Sequence, residues 1–174
     1  MIVVAPGAKG RDPEETTVDQ TERLVAIAAI RKLKARYFRA IDEKDEALLR
    51  ETFADDVELD YRGSTTDPAT GINAAGDATG DVLRGGEQSA RLLAASLVGL
   101  VSVHHTSEPE VEIIDAESAS GIWPMVDRLR FPAGSPFREM TGYGHYRETY
   151  IKERGEWRIR TLRLTRLRID FTSA

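Results

Sequence analysis

The stretch IAAIRKLKARYFRAIDEKDEALLRETFADDVELDY, residues 27–61, limits what this chain can fold into more than any other. Ala26, Ile30, Leu33, Tyr37 and Ile41 recur at intervals of three or four, which stacks them as one apolar stripe on an amphipathic helix. Arg31, Lys32, Lys34, Arg36 and Arg39 take the remaining faces. The helix runs out near Asp42, and Asp45 can cap a second short helix carrying Leu48, Leu49 and Phe53. Tyr37 and Asp42 are the polar groups best placed to point inward from the end of the stripe. Five residues separate them, a rotation of about 140°, so they converge only if the helix bends or unwinds. The dipole disfavours a carboxylate at a helix C-terminal end, so Asp42 calls for a compensating partner. A solvated hinge is the alternative, and the cap role already belongs to Asp45.

Asp19 or Thr21 starts the first helix, leaving residues 1–18 as a Pro/Gly/Glu-rich flexible arm and 19–174 as one domain. After the second helix, VELDY alternates apolar and acidic residues as a half-buried strand does. The following RGSTTDPATGINAAGDATGD has the composition of a long loop, expected to be mobile or to order over a pocket mouth. GGEQSARLLAASLVGL reads as a third helix with Leu92, Leu93, Ser96 and Leu97 inward. From Val101 the period changes to two, and four strand-like segments follow, the last pair joined by the hairpin signal ERGE. Helices first and antiparallel strands afterwards give an α+β domain, about three helices closing a curved, cone-shaped sheet. The open end of such a cone is the expected ligand pocket.

A net charge of -5 argues against nucleic acid as a partner. The chain has no cysteine, which excludes disulfides and thiolate chemistry. No run approaches the roughly 20 apolar residues that span a bilayer, and the first residues do not read as a signal peptide. A cytoplasmic protein without a membrane partner is the expectation.

The three histidines, His104, His105 and His145, all fall on strand-like segments. Alternation puts His104 and His105 on opposite faces without saying which face is the pocket. Nothing in their surroundings has metal-ligand spacing, so no metal is expected. Gly121, Trp123, Met125 and Asp127 alternate onto one face, and an acid in line with Trp and Met needs a partner. That partner is either the reaction chemistry or an arginine of the last strand, where Arg158, Arg160, Arg163, Arg166 and Arg168 crowd.

The helix AAIRKLKARYFRAIDEKDEALLRETFADDVELDY, the segment HHTSEPEVEIIDAESASGIW and the ending GHYRETYIKERGEWRI resemble the SnoaL-like branch of the nuclear transport factor 2 superfamily. Within it the pattern is similar to scytalone dehydratase, hexachlorocyclohexane dehydrochlorinase and bile-acid 7α-dehydratase. The resemblance covers roughly residues 20–170 and implies a cystatin-like α+β barrel. In those enzymes an aspartate at the end of the first helix orients a strand histidine that removes a proton next to the leaving group. Asp42 falls at that aspartate, and His104, 17 positions before Gly121, matches the histidine better than His105. Tyr37 and Asp127 match the additional tyrosine and aspartate of the bile-acid enzyme; the dehydrochlorinase has lysine at the Tyr37 position. The family's arginine on the last strand counts onto Leu162, so Arg163 or Arg166 requires a shift.

The resemblance implies a cofactor-independent lyase of the dehydratase type acting on a hydroxylated, apolar cyclic molecule. Asp42, His104, Tyr37 and Asp127 would be catalytic; Trp123, Met125, Arg163, His105 and Tyr61 would contact substrate. An isomerase or cyclase using the same dyad, or a non-catalytic small subunit or binding module, is the alternative. Assembly into a homo-oligomer, trimer or dimer, is expected.

Overall fold

The structure, a computed structural model, describes residues 18–76 and 81–174. Residues 1–17 of the expected arm and 77–80 of the expected loop lie outside the described residues.

Helix α1 spans Gln20–Glu43, with Asp19 as N-cap and its N–H donating to the Glu22 carboxylate at 3.3 Å. Lys44 ends the helix in the left-handed region, at φ 58°, an uncommon conformation for a residue with a Cβ. Its ammonium donates to the Asp42 carbonyl at 2.8 Å and to Ser102 Oγ at 3.3 Å, which ties the helix terminus to a strand. Asp45 then caps α2, Glu46–Thr52, its carboxylate accepting from Leu48 N at 2.9 Å. Strands β1, Phe53–Asp60, and β2, Val82–Arg84, precede α3, Gly86–Ser96. Strands β3, Val101–Thr106, β4, Glu110–Ile113, β5, Ser118–Arg130, β6, Phe137–Glu153, and β7, Glu156–Ser173, complete the order.

The protein is α+β, and among the described residues three helices pack on a curved sheet. Strands run β2-β1-β7-β6-β5-β3, with β4 pairing a second stretch of β5. Two findings modify the expected architecture. The sheet is mixed, because β1 joins β7 in parallel, and it is unclosed, with β2 and β3 at its edges.

The helix-facing side of the sheet carries Ala119, Trp123, Met125, Asp127 and Leu129 from β5, and Met140, Tyr146, Glu148 and Tyr150 from β6. Strict alternation fails in β7, where register shifts against β6 leave Arg160 and Leu167 without a paired position. Each bulge resets the inward phase. Ile159 faces in, then Leu162 and Leu164, then Ile169.

Two expectations about the helices need correcting. Lys34 belongs to the inward stripe and is 1% exposed, because a buried carboxylate, Glu148, meets it. On α3 the inward residues are Ser89, Ala90, Leu93 and Ala94, whereas Leu92 and Ser96 are exposed. Membership of the apolar set, without the helix phase, is a poor guide on so short a helix.

Candidate active site

Asp42 and His104 meet across the α1–β3 seam. His104 Nδ1 lies 2.7 Å from Asp42 Oδ1, and the His104 backbone N–H donates to Asp42 Oδ2 at 2.9 Å. One carboxylate therefore holds both the ring and the strand that carries it. Burial raises the Asp42 carboxyl, but the bonds from His104 and from Ser102 outweigh that and lower it below its ordinary value. With Asp42 ionised, the Nδ1 side of the ring is the side that donates to it, and Nε2 is left facing away from Asp42. Phe38 stacks on the imidazole, centroids 5.8 Å apart at 15°, and fixes the plane of the ring. The His104 side chain is 7% exposed, whereas His105 points outward and is exposed.

His104 Nε2 faces Asp127 Oδ2 at 3.9 Å. Both oxygens of Asp127 are gripped by Arg166, at 2.8 and 2.7 Å, and Arg166 Nε donates to the Ser64 carbonyl at 2.6 Å. Arg166 also approaches Met125 Sδ at 3.5 Å. A Cβ at Gly142 would lie 2.3 Å from both Arg166 Nη1 and Asp127 Oδ1, so the clamp depends on a glycine there. Asp127 thus has both partners the sequence suggested, a last-strand arginine and the neighbourhood of the histidine.

Tyr37 does not meet Asp42. Its hydroxyl bonds that of Tyr61, and burial pushes both phenols up, so both stay protonated. Tyr146 stands edge-on to Tyr37 at 6.1 Å, its phenol raised first by burial and further by the nearby Asp127 carboxylate. Beside these phenols, Lys34 donates to Glu148 and lies 3.6 Å from the Tyr146 ring centroid. Tyr150 donates to the other Glu148 oxygen and accepts from Trp123 Nε1 at 2.6 Å. Desolvation lowers Lys34 to about 8, with Glu148 opposing the shift.

A cleft of about 770 Å³ opens along the seam, lined by Asp42, His104, His105, Phe38, Lys34 and Trp123 among others. Tyr37, Tyr61, Met125 and Asp127 are absent from its lining and lie behind the dyad. A larger groove of about 840 Å³ crosses the helix-free face, where it meets Arg147, Thr149, Thr161 and Arg163. Arg163, expected at the pocket, is there, pairing with Asp60 at 3.2 Å. Arg166 reaches the interior instead, in phase with Leu162 and Leu164. Sequence reasoning also passed over Lys34, Glu148, Tyr146 and Gly142. Alternation of Gly142, Gly144, Tyr146, Glu148 and Tyr150 was the available signal.

Among the described residues no group of three or more His, Asp or Glu side chains is arranged to hold a metal ion. No helix among them is long and apolar enough to cross a membrane.

The SnoaL-like domain family matches residues 22–163. The chain belongs to that family. Solved structures bear the fold out. A candidate scytalone dehydratase from Novosphingobium aromaticivorans is 17% identical, with a TM-score of 0.71 over 90% of this chain and 93% of that one. A type 2 hexachlorocyclohexane dehydrochlorinase is 19% identical, with a TM-score of 0.69 over 90% of this chain and 95% of its own. A protein with a cystatin-like fold from Caulobacter vibrioides is 17% identical, with a TM-score of 0.58 over 81% and 89%. At these identities the likeness concerns the SnoaL-like fold.

Proposed function

We propose that this SnoaL-like protein is a cofactor-independent lyase that eliminates water from a hydroxylated, largely apolar cyclic molecule. The observation that carries this reading is His104, bound by Asp42 at Nδ1 and facing Asp127 with Nε2. A neutral imidazole so held is a base with its lone pair aimed and its conjugate acid stabilised in advance.

His104 Nε2 takes a proton from the carbon beside the one bearing the hydroxyl. The C–H electrons form the double bond as the C–O bond breaks, and the departing hydroxide leaves as water once protonated. Asp42 and Asp127 flank the imidazolium formed. With both oxygens on Arg166, Asp127 serves as an acceptor rather than as the acid. Tyr37 and Tyr61, bonded to each other behind the dyad, stay protonated and pack against the site rather than reach the departing oxygen. The proton taken up by His104 passes to the departing oxygen, so water leaves and the neutral base is restored. Trp123 and Phe38 offer flat apolar surface to a ring.

The test is turnover per folded molecule on a panel of cyclic alcohols, read by product mass. Loss of water is expected, and an unchanged mass would indicate isomerisation by the same dyad. His104→Ala is expected to cost about 10²–10⁴-fold, with Asp42→Asn of comparable order. Wild-type turnover in Asp42→Asn would remove the dyad from the mechanism.

A further inference from the structure

The chain carries a net charge of -5, yet the wall that α1 gives the dyad cleft is cationic. Arg31, Lys34 and Arg39 line the cleft, against the carboxylates of Asp42 and Glu108. Nearly every charge there is matched. Arg31 pairs with Glu108 at 3.1 Å, Lys34 with Glu148, and Asp42 with His104. Elsewhere on α1, Arg36 pairs with Glu51, and Arg23 donates to the Ile113 carbonyl. Arg39 is exposed, lines the cleft, and has no hydrogen bond or ion pair to any described residue.

Its position gives the unmatched charge a meaning. Arg39 precedes Asp42 by one turn, about 4.5 Å along the helix. Ala35, one turn earlier, leaves the wall between Arg31 and Arg39 bare beyond a methyl group. The remaining lining mixes apolar Phe38, Val103, Pro109 and Trp123 with His104, His105, Thr106 and Ser107. A guanidinium at the rim of this cleft presents a planar fork that fits a carboxylate with two parallel bonds.

We propose that Arg39 forms a subsite for a carboxylate carried by an otherwise apolar cyclic ligand. The inference rests on the lyase reading for its register. It sets the anion on the order of 10 Å from the carbon at His104, one turn plus one arginine side chain away.

Isothermal titration of the full chain with 2-naphthoate and with 2-naphthamide, a neutral compound of the same shape, tests this. The carboxylate is expected to bind about tenfold more tightly, and the preference should shrink as salt is raised. Arg39→Gln should bring the two compounds level without moving the melting temperature, and Arg39→Lys should keep part of the difference. Equal binding to the wild type, or a preference intact in Arg39→Gln, overturns the proposal. His104→Ala should retain the preference. If it does while no cyclic alcohol is turned over by the wild type, the lyase reading fails and the subsite stands.

Discussion

At the scale of single residues, Asp42 does two jobs with two oxygens, one on the His104 ring and one on the His104 amide. Both jobs need the ionised carboxylate, and its folded value lies below the ordinary 3.8. A carboxyl depressed on folding contributes stability that is fully present above its unfolded value and lost as pH falls through the folded one. Wild type should therefore exceed Asp42→Asn in stability at about pH 6, with the gap closing at about pH 3 and below. Denaturant titrations of both proteins at the two values measure it. A gap that stays constant would mean that the charge of Asp42 contributes nothing to the fold.

At the scale of elements, the bulge at Leu167 adjoins Arg166, and the described part of the long loop secures both. Asp67, buried, accepts from Ile169 N at 3.0 Å, just past the bulge, and from Thr70 N and Thr70 Oγ1 at 2.9 and 2.7 Å. The same loop supplies the Ser64 carbonyl to Arg166. Residues 64–76 are thus knitted to β7, because a buried backbone N–H freed from the ladder needs an acceptor. Asp67→Ala strands that donor at a cost of about 1–3 kcal/mol. Turnover per folded molecule should fall as well, as Arg166 loses its guide. Thermal melts and steady-state rates on one preparation check both, and an unchanged melting temperature would show the loop to be merely draped.

At the scale of the whole molecule, Lys34 and Glu148 join α1 to β6 across 114 positions of sequence, with both charges buried. Removing one partner of such a pair leaves the other uncompensated, so Lys34→Met should cost about 3–5 kcal/mol. Combining it with Glu148→Gln should recover much of that loss, since the stranded charge is gone. Urea melts of the wild type, the single and the double variant decide the matter. A double as unstable as the single would place the penalty in packing among Tyr37, Phe38 and Tyr146 instead.

Local patterns were enough for the helical stripe of Ile30, Leu33, Tyr37 and Ile41, the cap at Asp45, and the inward face of β5 through Trp123, Met125 and Asp127. Each depends on a period of 3.6 or 2 within one element, and one element's period is written in consecutive residues. The resemblance added which histidine to bring to Asp42. Two bulges in β7 reset its phase, so counting along the chain could not separate Arg163 on the open face from Arg166 on the clamp. The burial of Lys34 was illegible for a related reason: a lysine enters a core only where a carboxylate waits, and Glu148 comes from a strand more than a hundred residues away. Only the tertiary structure, by choosing register and partners between distant segments, decided where those charges lie.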